Sequence, residues 1–195
     1  MKNVINCTRE HNPLINQKLK EVTVEEGNAI ATELFQILNK RKDGIGLAAN
    51  QVGINAQVAV VNVREPLILI NPKIISMDKE IPFLEGCLSY PGKSVNTKRY
   101  SNVVISTEQS ESEWVFDGAT EDNTVNLKTL EAVCIQHEID HLNGLVCMDR
   151  RIDSTIRVEK KIGRNHLVTI KKGDVVKVLK YKKIKMFLND GWILQ

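Results

Sequence analysis

The 195-residue sequence has no apolar run of membrane-spanning length, and its first ten residues lack the apolar region of a secretory signal. Those absences argue against a helical membrane protein and against export by a cleaved signal peptide. The expectation is a soluble chain in the cytoplasm, or in an organelle or host compartment, with no membrane partner. Cysteine is sparse and scattered, at Cys7, Cys87, Cys134 and Cys147, with no CxxC pair. Without a secretion signal, such cysteines read as free thiols or a metal ligand before they read as disulfides. There is no internal repeat and no low-complexity tract. What remains, 42% hydrophobic and 26% charged, is long enough for one domain with a proper core.

The net charge of +3 is unevenly spread. Residues 155–195 carry 11 Lys or Arg against 3 acids, whereas residues 1–154 carry 16 against 21. A basic tail on an acidic body suggests affinity for nucleic acid, and a solvated lysine-rich surface explains it equally well. The spacing predicts a helix after Thr23-Val24-Glu25-Glu26, a capping-box pattern, with Ile30, Leu34, Ile37 and Leu38 on its apolar face. Lys40, Arg41 and Lys42 suit the end of that helix, and Gly44 reads as its stop. Gln57 to Val63, Leu67 to Ile75, Val103 to Thr107 and Trp114 to Phe116 read as strands. Glu108 to Glu113 looks like a polar insertion, and Glu121-Asp122-Asn123 like a loop tip. A second helix is expected from Leu127 to Leu142, ending before Gly144. Beyond Arg151, strands are expected at Val168 to Ile170 and Val175 to Tyr181, around a Lys172-Gly173-Asp174 turn, with another turn at Asn189-Asp190-Gly191. The division expected is a domain at 1–154 and a basic, β-rich extension at 155–195.

The second helix contains His137-Glu138-Ile139-Asp140-His141. Two histidines four apart share one helical face and chelate a divalent metal, and the glutamate between them can handle a water's proton. Leu130, Val133 and Cys134 lie on the same stripe, so the histidines continue a buried face. Cys87 sits in Glu85-Gly86-Cys87-Leu88-Ser89-Tyr90-Pro91-Gly92, framed by turn residues. A lone cysteine is usually a small buried hydrophobe, but a Cys-His-His set with one open position is a catalytic pattern. Gly44-Ile45-Gly46-Leu47-Ala48-Ala49-Asn50-Gln51 lacks the spacing of a dinucleotide or phosphate loop. Its backbone amides and Gln51 are candidates to polarise a carbonyl oxygen.

Together these three segments resemble the motifs of the peptide deformylase family, GxGLAAxQ, EGCLS and HExDH, in the same order and at similar separations. The resemblance spans about the first 150 residues. It implies an α+β fold with short antiparallel strands packed around a central metal-binding helix. It implies Cys87, His137 and His141 as metal ligands and Glu138 as general acid and base. Gln51 and the Leu88 backbone N–H are implied as donors to the reacting oxygen. The metal it implies is Fe²⁺, with Zn²⁺, Ni²⁺ or Co²⁺ able to replace it. The substrate is an N-formyl-methionyl peptide, hydrolysed to formate and a free N-terminus. Ile45, Leu130, Val133 and Cys134 are implied as a methionine-sized pocket. Backbone near Ile45 and Gly46 is placed to pair with the peptide, and Gly86 to let it approach closely. Ribosome contact through the basic tail is suggested by charge and substrate logic. Glu85 reads either as support for a ligand or as a surface ion pair. Asn12-Pro13-Leu14 matches the family's opening only weakly, and the tail departs from the basic helix that ends many bacterial members. Two rivals share parts of the pattern. A metallopeptidase would use the same helix, but the Cys87 motif and the lack of another ligand-rich helix disfavour it. A structural-metal RNA-binding protein would need a fourth protein ligand, and the motifs offer none.

Overall fold

The computed structural model describes residues 4, 12–41, 43–119, 125–152, 167–172, 175–180, 183 and 193–194. The chain divides into two compact units, 1–153 and 154–195.

In the first unit, helix α1 (Val24–Leu38) begins where its capping box lies. The Thr23 hydroxyl accepts from Glu26 N at 3.2 Å, and Thr23 N donates to the Glu26 carboxylate at 3.0 Å. Ala31, Leu34, Ile37 and Leu38 turn into the core. The C-terminus corrects the sequence reading. The helix ends at Leu38 with Asn39 as its cap, and Gly44 lies further on, lining the main cavity. Lys40 N and Arg41 N bond to Ile37 and Leu38 carbonyls, tightening the chain out of the α-helix. Lys40 and Arg41 therefore lie past the last turn, and Arg41 pairs with Asp43 at 3.1 Å.

Strands β1 (Gly46–Ala48), β2 (Val58–Asn62) and β3 (Pro66–Ile70) form an antiparallel sheet in that order. The segment expected as one strand from Leu67 to Ile75 is two, because Asn71 adopts a left-handed conformation (φ 48°) just before Pro72. Asn71 clasps Val22 there, accepting from its N at 3.1 Å and donating to its carbonyl at 2.8 Å. The second sheet comprises β4 (Lys73–Gly86), β5 (Ser94–Thr107) and β6 (Ser110–Asp117), also antiparallel. Glu108 to Glu113 forms a hairpin: Thr107 pairs with Ser110, so the segment turns and starts the returning strand. The expected loop tip at 121–123 falls outside the described residues.

Helix α2 (Leu127–Leu142) has the expected bounds, with Asn126 capping its start by accepting from Thr129 N at 2.9 Å. Its surroundings differ from a single apolar stripe. It lies against β1, β2, β5 and β6, so Thr129, Glu131, Gln136, Glu138 and Asp140 are buried as well. All of these but Glu138 have side-chain hydrogen-bond partners. Arg64 holds Glu131 at 2.8 and 2.5 Å, and Gln136 bonds the Tyr100 backbone on both sides at 3.1 and 2.7 Å. Strand β2 packs against both helices, which is why Val58 to Val61 are all fully buried and read as a continuous apolar run.

In the second unit, β7 (Leu167–Lys172) pairs antiparallel with β8 (Val175–Lys180) and β9 (Ile193–Leu194). The strands fall where β-rich sequence was expected. Residues 173–174, Tyr181 and the Asn189-Asp190-Gly191 turn lie outside the described residues.

Candidate active site and metal centre

One turn of α2 presents His137 and His141 with ring centroids 4.9 Å apart and planes near perpendicular, at 76°. The end of β4 brings Cys87 beside them, its Sγ 3.3 Å from His141 Nε2. The Cys87, His137 and His141 ligand atoms all fall within 4.8 Å of one another. Among the described residues, no fourth His, Cys, Asp or Glu joins the group. One thiolate and two imidazoles are a donor set for a divalent transition metal, and the set leaves a coordination position open. Glu138 Oε2 is buried without a partner, a polar atom left facing an incomplete site. These residues fit a metal ion.

Glu85 is both an ion-pair member and a support for a ligand. Its Oε2 meets His137 Nδ1 at 2.7 Å, which leaves the other ring nitrogen for a metal. Its Oε1 accepts from Arg99 Nε at 2.5 Å and from the Thr97 hydroxyl, and Arg99 Nη2 adds a 3.0 Å bond to Oε2. Arg99 Nη1 reaches Asp140 at 2.6 Å, and Arg150 grips the same carboxylate at 3.1 and 2.7 Å. Glu85, Arg99 and Asp140 are all buried, so a charge ladder runs from His137 to the half-exposed Arg150. Burial opposes charge on Glu85, but His137 and Arg99 outweigh it and hold its carboxyl at about 2. Burial lowers His137, and the Glu85 and Glu138 carboxylates overcome that and raise it. His141 is pushed well below its ordinary value by burial, with His137 and Arg99 adding to the effect. Glu138 is pushed up to about 7 by burial, opposed by His137 and reinforced by Glu85.

Gln51 is aimed by its own backbone. Its Oε1 accepts from Ala48 N at 2.8 Å, so Nε2 points at Cys87 Sγ (3.6 Å) and Ser89 Oγ (3.2 Å). Leu88 follows Cys87 in a turn closed by Tyr90 N to Cys87 O at 2.9 Å. A cavity of about 510 Å³ opens over the site. Gln51, Cys87, Leu88, His137 and Glu138 line it, as do Ile45, Gly46, Gly86, Leu130, Val133 and Cys134. His141 is fully buried and absent from that lining, so it lies behind the other ligands. A Cβ on Gly46 would strike Glu138 Oε1 and come within 2.7 Å of Cys134 Sγ, so only glycine lets β1 run this close to α2.

The sequence reading missed Arg99, Asp140 and Asn50. Along β5, Thr97, Arg99, Ser101, Val103, Ile105 and Thr107 alternate inward. That period-2 signal was legible only in its apolar half. Asn50 Nδ2 donates to the His141 carbonyl at 2.7 Å, tying the glycine-rich segment to the metal helix. Cys147, 1% exposed, opens a short 3-10 turn (Cys147–Arg150). Interaction with Cys87 lowers Cys147 to about 7 against the effect of burial, and the same interaction, joined by burial, raises Cys87.

A helix-borne histidine pair, a cysteine and a buried glutamate gathered at the floor of one cavity define a metal-dependent hydrolase. The family model for polypeptide deformylase matches residues 4–157. A peptide deformylase of Dictyoglomus thermophilum is 36% identical over 152 residues, covering 76% of this chain and 94% of that one. The crystal structure of a peptide deformylase from Synechococcus elongatus in complex with actinonin is 35% identical, with a TM-score of 0.64, covering 78% of this chain and 80% of that one. A Thermotoga maritima peptide deformylase gives the same TM-score at 28% identity, over 78% and 99% of the two chains. The chain belongs to the polypeptide deformylase family. Its activity is metal-dependent hydrolysis of the N-formyl group from formyl-methionyl nascent polypeptides, releasing formate.

Proposed function

We propose that Cys87, His137 and His141 hold the metal of this reaction and that Glu138 moves its proton. The observation carrying the reading is the meeting of three ligand atoms within 4.8 Å, beside a buried carboxylate with one unpartnered oxygen. The metal proposed is Fe²⁺, with Zn²⁺, Ni²⁺ or Co²⁺ as substitutes; bound there, it supplies Lewis acidity toward water and the formyl oxygen. Glu138, with its carboxyl near 7, accepts a proton from the attacking water and returns it to the departing amine. Gln51 Nε2 and the Leu88 N–H donate to the oxygen that gains charge as the formyl carbon becomes tetrahedral. Leu130, Val133, Cys134 and Ile45 take the methionine side chain. Strand β1 pairs with β2 on one edge only, so its other edge at Ile45 and Gly46 receives the extended peptide, with Gly86 opposite.

Residues 1–154 constitute the catalytic domain in this reading, and 155–195 a basic extension that contacts the ribosome. The compartment is the cytoplasm or an organelle where formylated chains are made. No described helix is long and apolar enough to cross a membrane. The test is formate release from formyl-Met-Ala after anaerobic loading with Fe²⁺ or Ni²⁺. Release is expected, and a metal-replete protein that releases none overturns the assignment. Ribosome pelleting that is salt-insensitive, or unchanged when 155–195 are deleted, removes the docking role.

A further inference from the structure

Asn50 neither lines the cavity nor belongs to the group of three ligands, yet it is fully buried and immediately precedes the Gln51 donor. Its Nδ2 donates to the His141 carbonyl at 2.7 Å and to the Leu14 carbonyl at 3.4 Å. Its own carbonyl accepts from Asn12 Nδ2 at 2.7 Å. Three stretches distant in the chain therefore meet at one residue: the segment around Asn12, the glycine-rich segment and the end of α2. Both partners of the Asn50 amide nitrogen are carbonyls, so only the nitrogen can face them, which fixes the orientation of the side chain. Its Oδ1 has no partner among the described residues. An unsatisfied buried acceptor is costly, so this amide is kept in the interior by what its nitrogen does.

Bonds inside the turn and bonds leaving it have different effects. Asn50 and Gln51 share a short 3-10 turn (Ala49–Val52). The bond from Ala48 N to Gln51 Oε1 aims the donor relative to its own backbone only. Where that backbone stands against the metal helix depends on contacts outside the turn, and the Asn50 bond to His141 joins the two directly. The segment behind Asn50 is itself pinned to the end of α2. Leu19 N donates to the Leu142 carbonyl at 2.9 Å. Gly144 (φ 76°) passes so close that a Cβ there would come within 2.7 Å of the Asn16 and Gln17 backbone. Ile15, fully buried, packs with Val146, Met148 and Tyr90, and Tyr90 closes the turn that carries Cys87.

We propose that Asn50 is a positioning residue of the reaction: it sets the Gln51 donor against the metal helix and is itself held by Asn12. It touches neither substrate nor metal and acts through Gln51 Nε2. The inference rests on the reading of Gln51 as a donor to the formyl oxygen. Without the Asn50 amide the turn keeps its internal bonds, but its polar link to α2 is gone and the donor shifts from the oxygen it serves. Removing such a donor outright costs about 10²–10³ in kcat. Misplacing one by about 1 Å costs up to about 10². The loss from Asn50→Ala is therefore about 10-fold to 10²-fold in kcat, smaller than that of Gln51→Ala. The methionine pocket uses other residues, so KM stays within about twofold.

The test compares the full chain, loaded with Ni²⁺, as Asn50→Ala, Gln51→Ala and the double variant, for kcat and KM on formyl-Met-Ala, bound Ni²⁺ and circular dichroism. Asn50→Ala should keep the wild-type Ni²⁺ ratio and KM while kcat falls by the factor given. In the Gln51→Ala background the same change should cost less than about twofold, because no donor is left to position. Asn12→Ala removes the bond to the Asn50 carbonyl and leaves the amide intact. Run through the same cycle, it should repeat the pattern at about 2-fold to 10-fold, and it carries the test if Asn50→Ala does not fold. Additive losses in the double variants overturn the proposal, as does a kcat loss that merely tracks lost Ni²⁺ or lost helix signal. Normal kcat in Gln51→Ala overturns the donor reading and this inference with it. A slow Gln51→Ala beside an unaffected Asn50→Ala overturns the inference alone.

Discussion

Arg99→Met should destabilise the fold through two carboxylates at once, and its pH dependence should identify the cause. Arg99 is 2% exposed and makes three charge-assisted bonds of 2.5 to 3.0 Å to Glu85 and Asp140. Glu85 is held at about 2 against an ordinary 4.5, which corresponds to about 3 kcal/mol of stability at neutral pH. His137 and Arg99 share that effect. Methionine keeps much of the packing volume but strands Glu85 on His137 and Thr97, and Asp140 on Arg150. Removing one side of a buried ion pair costs about 3–5 kcal/mol, and the surviving partners put the expectation near the lower end, about 3 kcal/mol. For a domain of this size that is a fall in Tm of about 6–12 °C. Because the folded pKa of Glu85 lies below the unfolded one, its contribution is complete above about pH 5 and fades as pH falls toward 2. The gap between wild type and variant should therefore narrow to about 1 kcal/mol at pH 3. Urea unfolding of both metal-free proteins at pH 7 and pH 3 measures it. A loss under about 1 kcal/mol at pH 7, or the same loss at both pH values, refutes the reasoning.

Three further outcomes are expected at the site itself. Glu138→Gln should bind metal in the wild-type ratio while formate release drops by about 10²–10⁴, and a loaded variant with near-normal turnover would remove Glu138 from the proton path. Gln51→Ala should lower kcat by about 10²–10³ with little change in metal content, and a KM effect alone would make Gln51 a binding group instead of an oxyanion donor. Gly46→Ala forces a methyl group onto Glu138 and Cys134, so turnover should collapse even where circular dichroism shows a folded protein; retained activity would mean β1 and α2 can separate.

The sequence reading succeeded where the pattern is local. The α1 start depends on Thr23 and Glu26 meeting across one turn, and the α2 histidines on four-residue spacing, both properties of a single helix. It failed where the outcome depends on distant partners. The break at Asn71 is stabilised by Val22, 49 residues away, and the end of α1 lies where no glycine marks it. Leu67 to Ile75 is apolar enough for one strand, so only its contacts reveal two.

By itself, the sequence determined that a metal-binding helix, a cysteine turn and a glycine-rich segment exist, because each is a contiguous run whose chemistry depends on neighbours along the chain. It also determined the family, since three such runs recur in one order. Only the tertiary structure decided that α2 is buried nearly all round, so that Glu138 loses its water and its carboxyl rises to about 7. Only it decided that Arg99 neutralises Glu85 and Asp140. Arg99 reaches its partners across 14 and 41 residues of chain. Such pairings are set by strand register and helix packing, which no local pattern of residues encodes.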